Sequence, residues 1–395
     1  MTKVDTINCA ICGAQVHYIA KHLQDAHPEV TIEDYQSEHP EAPLASKAFE
    51  AARESKLKEK QMQAELAAKI LPFVPKDSVE KRPMYELFGL ELTEETRLTP
   101  RRGQTQGDPV MTDVLVGIDD ENEDLVPLID EDHVWRVSEL RDILMGIALN
   151  IPMLVWGPHG SGKTTTVEQV NARLNRPTVR IQHTETTEEA HVLGQMVVRN
   201  QQTEFELGPL PLAMLNGWTY LADEYDFAHP GVLAVYQPVL EGKPLYIKEA
   251  PPSMRLIKPH PHFRFIATGN TNGSGDDTGL YSGTKIGNAA NYSRFGLTIR
   301  VDYPDDGTEI SMLRNRIGLD EDLAGKMVDF AGRIRALHEK GDISIPISPR
   351  ELIRASLMGA ASGGKFRHAL DLAYINRLDK IQGQSAREVA QRLFG

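Results

Sequence analysis

The central part of this 395-residue sequence predicts an α/β fold with a doubly wound parallel sheet. Short apolar stretches recur at residues 178–181, 218–222, 263–268 and 297–301, and stretches with a helical spacing of apolar residues separate them. Strands that alternate with helices are typical of a parallel sheet with helices on both faces. After about residue 305 only helical patterns continue, so we expect a small helical domain to follow the sheet.

The composition is that of an ordinary globular protein, since 41% of the residues are hydrophobic and 25% are charged. The 43 Lys and Arg residues against 56 Asp and Glu residues give a net charge of −13, which argues against broad non-specific nucleic-acid binding. Residues 76–133 carry sixteen acidic and six basic residues, whereas residues 134–395 carry 29 of each. The two cysteines exclude a scaffold held together by disulfides.

Composition and spacing divide the chain into five expected segments. Residues 44–71 are rich in Ala, Lys and Glu and lack Gly, which favours a helix. The Pro and Gly residues and the acidic run of residues 76–133 are typical of a partly disordered linker or an irregular arm. The expected order is a small metal-binding module with an extension (1–43), a helix (44–75), the acidic linker or arm (76–133), the α/β core (134–304) and a helical lid (305–395).

No stretch of the sequence indicates a secretion signal or a membrane span. The first eight residues contain no apolar signal region, and the longest apolar stretch, residues 143–156, is interrupted by Asn150 and Pro152. We therefore expect a soluble, cytoplasmic protein without a membrane partner.

Residues 157–164 read GPHGSGKT and match the pattern G-x-x-x-x-G-K-[ST] between a predicted strand and a predicted helix. In this pattern backbone N–H groups surround phosphate oxygens, the lysine contributes positive charge, and the hydroxyl binds Mg²⁺. Lys163 and Thr164 would take the last two roles. The predicted nucleotide-binding residues of the loop are Gly157, Pro158, His159, Gly160, Ser161, Gly162, Lys163, Thr164 and Thr165.

Polar residues follow two further predicted strands. Residues 218–224 read WTYLADE, so that an apolar strand ends in Asp223 and Glu224. Beside a phosphate loop, Asp223 is predicted to hold Mg²⁺ and Glu224 to activate the attacking water as a general base. Asn270 follows the strand at 263–268 and is predicted to contact the γ-phosphate and to position the water. Each feature alone also occurs in ordinary strand ends and turns, but their combination predicts an ATPase that uses ATP and Mg²⁺.

The order of these motifs resembles that of AAA+ ATPases of the MoxR and chelatase group, including the CobS-type ATPase subunits of aerobic cobaltochelatases. The residues that carry the resemblance are GPHGSGKT at 157–164, LADEYD at 221–226, PHPHFR at 259–264 and ATGNTNGSGDDTGLYSGT at 267–284. The resemblance implies Mg²⁺-dependent ATP hydrolysis in a homo-oligomeric ring, expected to be a hexamer, that remodels or activates a partner protein. It also implies two inserted hairpins, at residues 183–210 and 240–259.

Two arginines have roles that the resemblance implies. Arg294 stands just before the predicted strand 297–301, where ring ATPases place an arginine that reaches into the neighbouring subunit's nucleotide site. Arg350 begins a predicted helix, where a second arginine responds to the bound nucleotide. The alternative for this segment is that Ser348 and Pro349 only cap the helix.

The N-terminal segment contains the pattern Cys9-x2-Cys12-x9-His22-x4-His27. Two thiolates and two imidazoles form a tetrahedral Zn²⁺ ligand set, and the short spacer resembles that of the zinc finger in the Ros/MucR bacterial regulators. His17 is an alternative ligand. Residues 1–60 carry seven basic and ten acidic residues, a poor match for DNA phosphates, so recruitment of a protein is favoured over DNA binding.

The sequence leaves two alternatives to a ring ATPase that acts on a partner protein. The first is the ATPase subunit of a cobalt chelatase in cobalamin biosynthesis, in which larger partner subunits insert the metal. The second is a zinc-finger DNA-binding regulator whose ring is gated by nucleotide.

Overall fold

The structure is a computed structural model, and it describes residues 5–54, 56–57, 79–100, 104–118, 120–199, 201–273, 275 and 289–395. The chain divides into two compact units, Met1–Ile70 and Leu71–Gly395. Of the helix predicted over 44–75, residues 47–54 and 56–57 are helical, and residues 58–75 lie outside the described residues. Apart from Gly275, the GDDTGLYSGT stretch at 275–284 also lies outside them.

The secondary structure of the described residues consists of short strands and helices with three 3-10 turns. The strands are β1 (Ile7–Asn8), β2 (Gln15–Val16), β3 (Val79–Pro83), β4 (Met111–Leu115), β5 (Met153–Trp156), β6 (Thr178–Gln182), β7 (Gly194–Arg199), β8 (Gln202–Leu207), β9 (Thr219–Asp223), β10 (Leu245–Tyr246), β11 (Leu256–Ile257), β12 (Arg264–Gly269) and β13 (Leu297–Arg300). The helices are α1 (Ile19–Ala26), α2 (Ile32–Glu38), α3 (Met84–Leu87), α4 (Asp120–Glu123), α5 (Val137–Ala148), α6 (Lys163–Arg173), α7 (Glu189–Leu193), α8 (Pro209–Asn216), α9 (Pro230–Leu240), α10 (Ala289–Tyr292), α11 (Asp306–Ile317), α12 (Glu321–Glu339), α13 (Pro349–Ala361), α14 (Phe366–Ala373) and α15 (Lys380–Phe394). The 3-10 turns are Glu94–Thr96, Tyr225–Phe227 and Ile375–Arg377.

The first unit is a small domain with a core of four buried side chains. These are Cys9, Ile19, Leu23 and Tyr35. Strands β1 and β2 pair as an antiparallel hairpin, and the Tyr35 hydroxyl accepts a hydrogen bond from the backbone N–H of Ala10 at 2.8 Å. This bond holds the loop after β1 against α2. A core of this size needs a further stabilising link, such as a bound metal ion.

The second unit contains a five-stranded sheet that is parallel throughout, in the order β13–β5–β12–β9–β6. The strands predicted at 178–181, 218–222, 263–268 and 297–301 are confirmed as β6, β9, β12 and β13, with ends shifted by one residue. Because parallel strands point the same way, the loops that follow β5, β9 and β12 meet at the carboxyl edge of the sheet.

Helices cover both faces of this sheet, as the prediction of a doubly wound fold requires. Alternate strand residues are buried on opposite faces because successive side chains of a strand point in opposite directions. Tyr220 and Phe265 belong to the core that includes α8 and α9. Leu221 and Ile266 belong to the core that includes α5 and α6.

Residues 76–133 are predicted as a linker or an irregular arm, and the described part of this segment packs against the sheet domain. Strands β3 and β4 form an antiparallel ribbon, and the backbone N–H of Leu115 donates to the carbonyl O of Leu174 at 3.0 Å. The residues of this arm that are buried in the core of α5 and α6 are Met84, Phe88 and Val114. The acidic residues between these apolar anchors that the structure describes are exposed, and they account for the composition from which a linker or an irregular arm is predicted.

The helical domain expected after the sheet is formed by α11 to α15. Its core includes the buried side chains of Phe330, Leu352 and Leu370. Asp305 and Asp320 begin α11 and α12 by accepting hydrogen bonds from backbone N–H groups of the first turn. Among the described residues, no helix is both long and apolar enough to cross a membrane.

Both hairpins that the family resemblance implied are present. Strands β7 and β8 pair in antiparallel register from Gly194 opposite Leu207 to Arg199 opposite Gln202. Strands β10 and β11 form a shorter antiparallel pair.

Candidate nucleotide site and candidate metal centre

The candidate phosphate loop connects the end of β5 to the start of α6. Gly160 and Gly162 have φ angles of 71° and 94°, which favour glycine. A Cβ atom on Gly157 would lie 2.1 Å from the carbonyl O of Val301, and one on Gly160 would lie 2.5 Å from Ser348 Oγ. The loop is therefore tightly folded directly before a helix N-terminus, as phosphate binding by backbone N–H groups requires.

Lys163 begins α6, and its ammonium group is buried inside this loop. Nζ donates hydrogen bonds to the carbonyl O atoms of Gly157 at 2.8 Å and Pro158 at 2.9 Å, and to Asn270 Oδ1 at 3.2 Å. Burial lowers the pKa of Lys163 to about 8, against the opposing effect of two nearby aspartates. Its direct partners are neutral, so a phosphate would supply the negative charge that stabilises the buried cation.

Asp223 ends β9 and accepts hydrogen bonds from three different elements. Thr164 Oγ1 donates to Oδ1 at 2.8 Å, Thr268 Oγ1 donates to the same oxygen, and Arg180 Nε donates to Oδ2 at 2.9 Å. Burial alone would raise the pKa of Asp223, but these hydrogen bonds and the charge of Arg180 outweigh it and lower the pKa. An ionised carboxylate beside a hydroxyl is a donor set that suits Mg²⁺.

Glu224 lies one residue beyond β9, where the chain turns sharply. Its φ angle of 53° is in the left-handed region, which is uncommon for residues other than glycine. Gln182 Nε2 donates to Glu224 Oε2 at 3.2 Å. This hydrogen-bond donor is neutral, so it orients the carboxylate without neutralising its charge.

Asp226 holds the loop after β12 that contains Asn270. Its Oδ2 atom accepts hydrogen bonds from the backbone N–H groups of Asn270 at 2.9 Å and Thr271 at 2.8 Å. The side chain of Asn270 then reaches Lys163. The structure therefore brings the phosphate loop, the two acidic residues and Asn270 together at the carboxyl edge of the sheet.

Sequence analysis did not identify several residues that hold this site together, namely Arg180, Gln182, Asp226 and Thr268. Arg180 and Gln182 are two residues apart on β6, so they lie on the same side of the strand. Strand β6 pairs directly with β9, which ends in Asp223. The closeness of Arg180 and Gln182 to Asp223 can be recognised only when the strand order is known, because β6 and β9 are separated by 36 residues in the chain.

A cavity of about 230 Å³ lies between the phosphate loop and the helical domain. Its lining residues are His133, Gly160, Ser161, Gly162, Thr165, Pro304, Met312, Arg316, Pro349, Arg350, Ile353 and Arg354. Three arginines in this lining suit a ligand that carries negative charge. A larger cavity of about 630 Å³ lies beside Trp156, Asn270 and Tyr303.

The start of α13 contacts the tip of the phosphate loop. Ser348 caps the helix together with Glu351, and the Ser348 backbone N–H donates to Glu351 Oε2 at 2.9 Å. His159 Nε2 lies 3.8 Å from Glu351 Oε1, and Arg377 Nη2 lies 3.1 Å from the same atom. The helix cap considered as an alternative is therefore present, and Arg350 lines the cavity next to it.

Arg294 does not join the other predicted residues of the site. It precedes β13, whose first residue, Leu297, pairs with Met153 at the start of β5. The phosphate loop follows the other end of β5, so Arg294 lies at the opposite, amino edge of the sheet. There its Nε atom donates to Glu241 Oε1 at 2.7 Å.

The candidate metal centre lies in the first unit. The four predicted ligands have donor atoms that all lie within 4.8 Å of one another, and Cys12 Sγ is 3.1 Å from His22 Nε2. His27 Nε2 is buried and has no hydrogen-bond partner among the described residues, which fits a metal ligand. His17 Nδ1 instead contacts Ser46 Oγ at 3.2 Å. The residues that form the cluster are Cys9, Cys12, His22 and His27.

The parallel sheet, the phosphate loop and the helical domain define an AAA+ P-loop ATPase. The family model "AAA domain (dynein-related subfamily)" matches residues 152–285, and "CbbQ/NirQ/NorQ C-terminal" matches residues 309–391. The aerobic cobaltochelatase subunit CobS of Sinorhizobium sp is 35% identical over 295 residues, which cover 72% of this chain and 87% of that protein. The chain therefore belongs to the AAA+ ATPases of the CobS, NorQ and CbbQ type.

Two further relatives carry the names of the matching C-terminal family. The NorQ protein of Paracoccus denitrificans is 26% identical over 250 residues, which cover 63% of this chain and 88% of that protein. The CbbQ protein of Hydrogenophilus thermoluteolus is 27% identical over 219 residues, which cover 55% of this chain and 78% of that protein.

Proposed function

We propose that this ATPase hydrolyses ATP with Mg²⁺ at the site formed by the phosphate loop, the acidic pair and Asn270. The observation that supports this most strongly is the contact between Thr164 and Asp223 beside the buried Lys163. Together these residues offer a cation for phosphate and two oxygen donors for a divalent metal.

Each residue of the proposed site has a separate task. The N–H groups of the phosphate loop and Lys163 bind the β- and γ-phosphates, while Thr164 and Asp223 hold Mg²⁺, which supplies positive charge at the phosphate oxygens. Glu224 accepts a proton from the attacking water, and Asn270 orients that water. Arg350 contacts the nucleotide from the helical domain.

We propose further that the active form is a ring, expected to be a hexamer, in which Arg294 of one copy completes the site of the next. The two edges of the sheet support this, because Arg294 lies at the amino edge and the phosphate loop lies at the carboxyl edge. An arginine supplied by a neighbour contributes about 10³- to 10⁵-fold in related phosphoryl transfer. Hydrolysis would therefore depend on assembly.

The work of the ring is the remodelling or activation of a partner protein. The β7–β8 hairpin exposes Met196 and Val198 at 54% and 74% of their surface. They lie two residues apart on β7 and therefore on one face, and adjacent exposed apolar side chains are typical of a contact surface. This hairpin and the first unit are the surfaces that we propose for partner contact.

A cobalt chelatase ATPase subunit is the second candidate function. The specific observation in its favour is the 35% identity to CobS over 87% of that protein. Insertion of Co²⁺ by a purified complex of this chain with larger partner subunits would support this function. A complex that hydrolyses ATP without inserting Co²⁺ would contradict it.

We propose that the first unit binds Zn²⁺ through Cys9, Cys12, His22 and His27. Metal binding supplies about 10–16 kcal/mol in finger peptides, which compensates for a very small core. The acidic surface favours recruitment of a protein. A DNA-binding regulator would instead require tight, sequence-dependent DNA binding at about 0.15 M salt.

The test of the hydrolytic site uses the Glu224→Gln variant. The amide cannot accept the proton, so we expect hydrolysis to be lost while ATP binding, measured by equilibrium titration, is retained. Wild-type turnover in this variant would exclude Glu224 as the base.

The same variant tests the role in remodelling, because it holds ATP without hydrolysing it. Affinity capture in the presence of ATP should retain a specific partner. The matched control is Glu224→Gln combined with Lys163→Ala, which should lose both ATP binding and the partner. Equal capture by both variants would contradict a nucleotide-dependent partner.

A further inference from the structure

The guanidinium group of Arg294 is held by its own chain along one edge. Nε donates to Glu241 Oε1 at 2.7 Å, and Nη1 donates to the carbonyl O of Ala290. Among the described residues, no partner contacts Nη2. Two of the three guanidinium nitrogens are therefore fixed by contacts within the chain.

Glu241 is itself held in position. It is the C-cap of α9, and Lys243 Nζ lies 2.5 Å from its second carboxylate oxygen, Oε2. Each oxygen of Glu241 thus faces a different cation. Helix α9 is also tied to the segment before Arg294, because Gln237 Nε2 donates to Asn291 Oδ1 at 2.6 Å.

These contacts place Arg294 and its partner on one small surface at the amino edge of the sheet. A cavity of about 430 Å³ there is lined by both Glu241 and Arg294. The side chains of Arg294 and Glu241 are 26% and 34% exposed. An ion pair at such a surface contributes little to stability, and its main physical effect is to restrict the two side chains.

The physical consequence concerns the entropy of the arginine side chain. A free arginine side chain has many rotamers and loses conformational entropy when one of them is selected. The bond to Glu241 restricts the side chain before any neighbour arrives, and so reduces what must be lost when the two subunits meet.

We propose that Glu241 is the positioning residue for Arg294: it orients the guanidinium toward the nucleotide site of the neighbouring copy. This inference rests on the proposed role of Arg294 in the neighbour's site. Glu241 touches neither nucleotide nor metal in this scheme, and it acts only through Arg294.

The first experiment compares steady-state ATP hydrolysis of four variants, after size-exclusion chromatography has shown that they assemble equally. Because misplacement of a catalytic group costs up to about 100-fold, Glu241→Ala should lower kcat by about 10- to 100-fold with little change in KM. Lys243→Gln removes one of the two cations that hold the same carboxylate, so it should lower kcat by less than Glu241→Ala does. The double variant Glu241→Ala/Arg294→Ala should be no slower than Arg294→Ala.

The results separate this inference from the proposed function. Wild-type turnover in Arg294→Ala would contradict the proposed role of Arg294 in the neighbouring copy's nucleotide site. It would therefore contradict this inference as well. If Arg294→Ala loses ATP hydrolysis but Glu241→Ala keeps the wild-type kcat, the proposed role of Arg294 stands and only the positioning role of Glu241 is overturned. A further loss in the double variant would also overturn it, because it would show an effect of Glu241 that does not pass through Arg294.

Mixed rings provide a second readout that a merely structural role would not change. A Lys163→Ala subunit cannot hydrolyse ATP but carries an intact Arg294 and Glu241, so mixing it with Glu241→Ala subunits should raise turnover per intact site. The control subunit, Lys163→Ala/Glu241→Ala, should give no such rescue. Equal turnover in both mixtures would contradict positioning in trans.

Discussion

Single residues at this site act through partners that come from distant parts of the chain. Asp223 accepts hydrogen bonds from Thr164, Thr268 and Arg180. The motif around Asp223 was recognisable in the sequence because its chemistry is local. Arg180 was not, since its role depends on β6 lying beside β9.

The ionisation of Glu351 also depends on partners elsewhere in the chain, and it leads to a prediction about how stability changes with pH. Burial alone would raise its pKa, but the contact with His159, the hydrogen bonds from Ser348 and the charge of Arg377 lower the pKa from the ordinary 4.5 to about 2. Ionised Glu351 therefore stabilises the fold above about pH 4.5, and this contribution is lost as the pH falls toward 2. We expect Glu351→Gln to lower the free energy of unfolding at pH 7 by about 1–3 kcal/mol.

The measurement is denaturant unfolding of both proteins between pH 7 and pH 3. The difference between wild type and Glu351→Gln should shrink as the pH falls below about 4.5. The exposed Glu339 provides the control, and Glu339→Gln should leave stability unchanged. A difference from wild type that stays constant with pH would contradict the ionised state of Glu351.

At the scale of elements, residues 76–133 show how few apolar side chains are needed to dock an acidic segment. Their composition predicts a partly disordered linker or an irregular arm, and in the described part Met84 and Phe88 are buried in the core beside α5 and α6. Phe88 also meets the ring of Trp135 edge-on at 4.8 Å between centroids. A few apolar anchors therefore dock the segment, and composition averages them with the exposed residues around them.

Truncation of the buried anchor should destabilise the second unit. Phe88→Ala removes a ring that is 3% exposed, and such changes cost about 3–5 kcal/mol. Leu92→Ala, at a side chain that is 40% exposed, should change stability by less than about 0.5 kcal/mol. Fluorescence-detected unfolding reports on the second unit, because the chain's three tryptophans, Trp135, Trp156 and Trp218, all lie in it. Equal stability of Phe88→Ala and wild type would show that the arm is not part of the cooperative unit.

At the scale of the whole molecule, the chain combines two units with different sources of stability. The second unit has extensive apolar cores, whereas the described part of the first has a core of four buried apolar side chains and the cysteine–histidine cluster. We expect the first unit to depend on metal, and the nucleotide site to retain its own fold without it.

The corresponding prediction is one Zn²⁺ ion per chain, measured by elemental analysis after extensive dialysis. Cys12→Ser should lose this ion, and the first unit should then be digested rapidly by protease while ATP binding at the second unit persists. His17→Ala is the matched control and should keep the ion, because His17 contacts Ser46 outside the cluster. Retention of zinc in Cys12→Ser, or its loss in His17→Ala, would contradict the proposed ligand set.

The sequence by itself determined the strands, the phosphate loop and the acidic pair, because these depend on local periodicity and on residue types at fixed spacing. It also indicated a set of zinc ligands, because the spacing of cysteines and histidines is a local pattern. Only the tertiary structure decided which strands are neighbours, and so which residues, such as Arg180 and Gln182, reach the acidic pair. It also separated Arg294 from its own phosphate loop and joined it to Glu241, since contacts between residues far apart in the chain follow from strand order and packing.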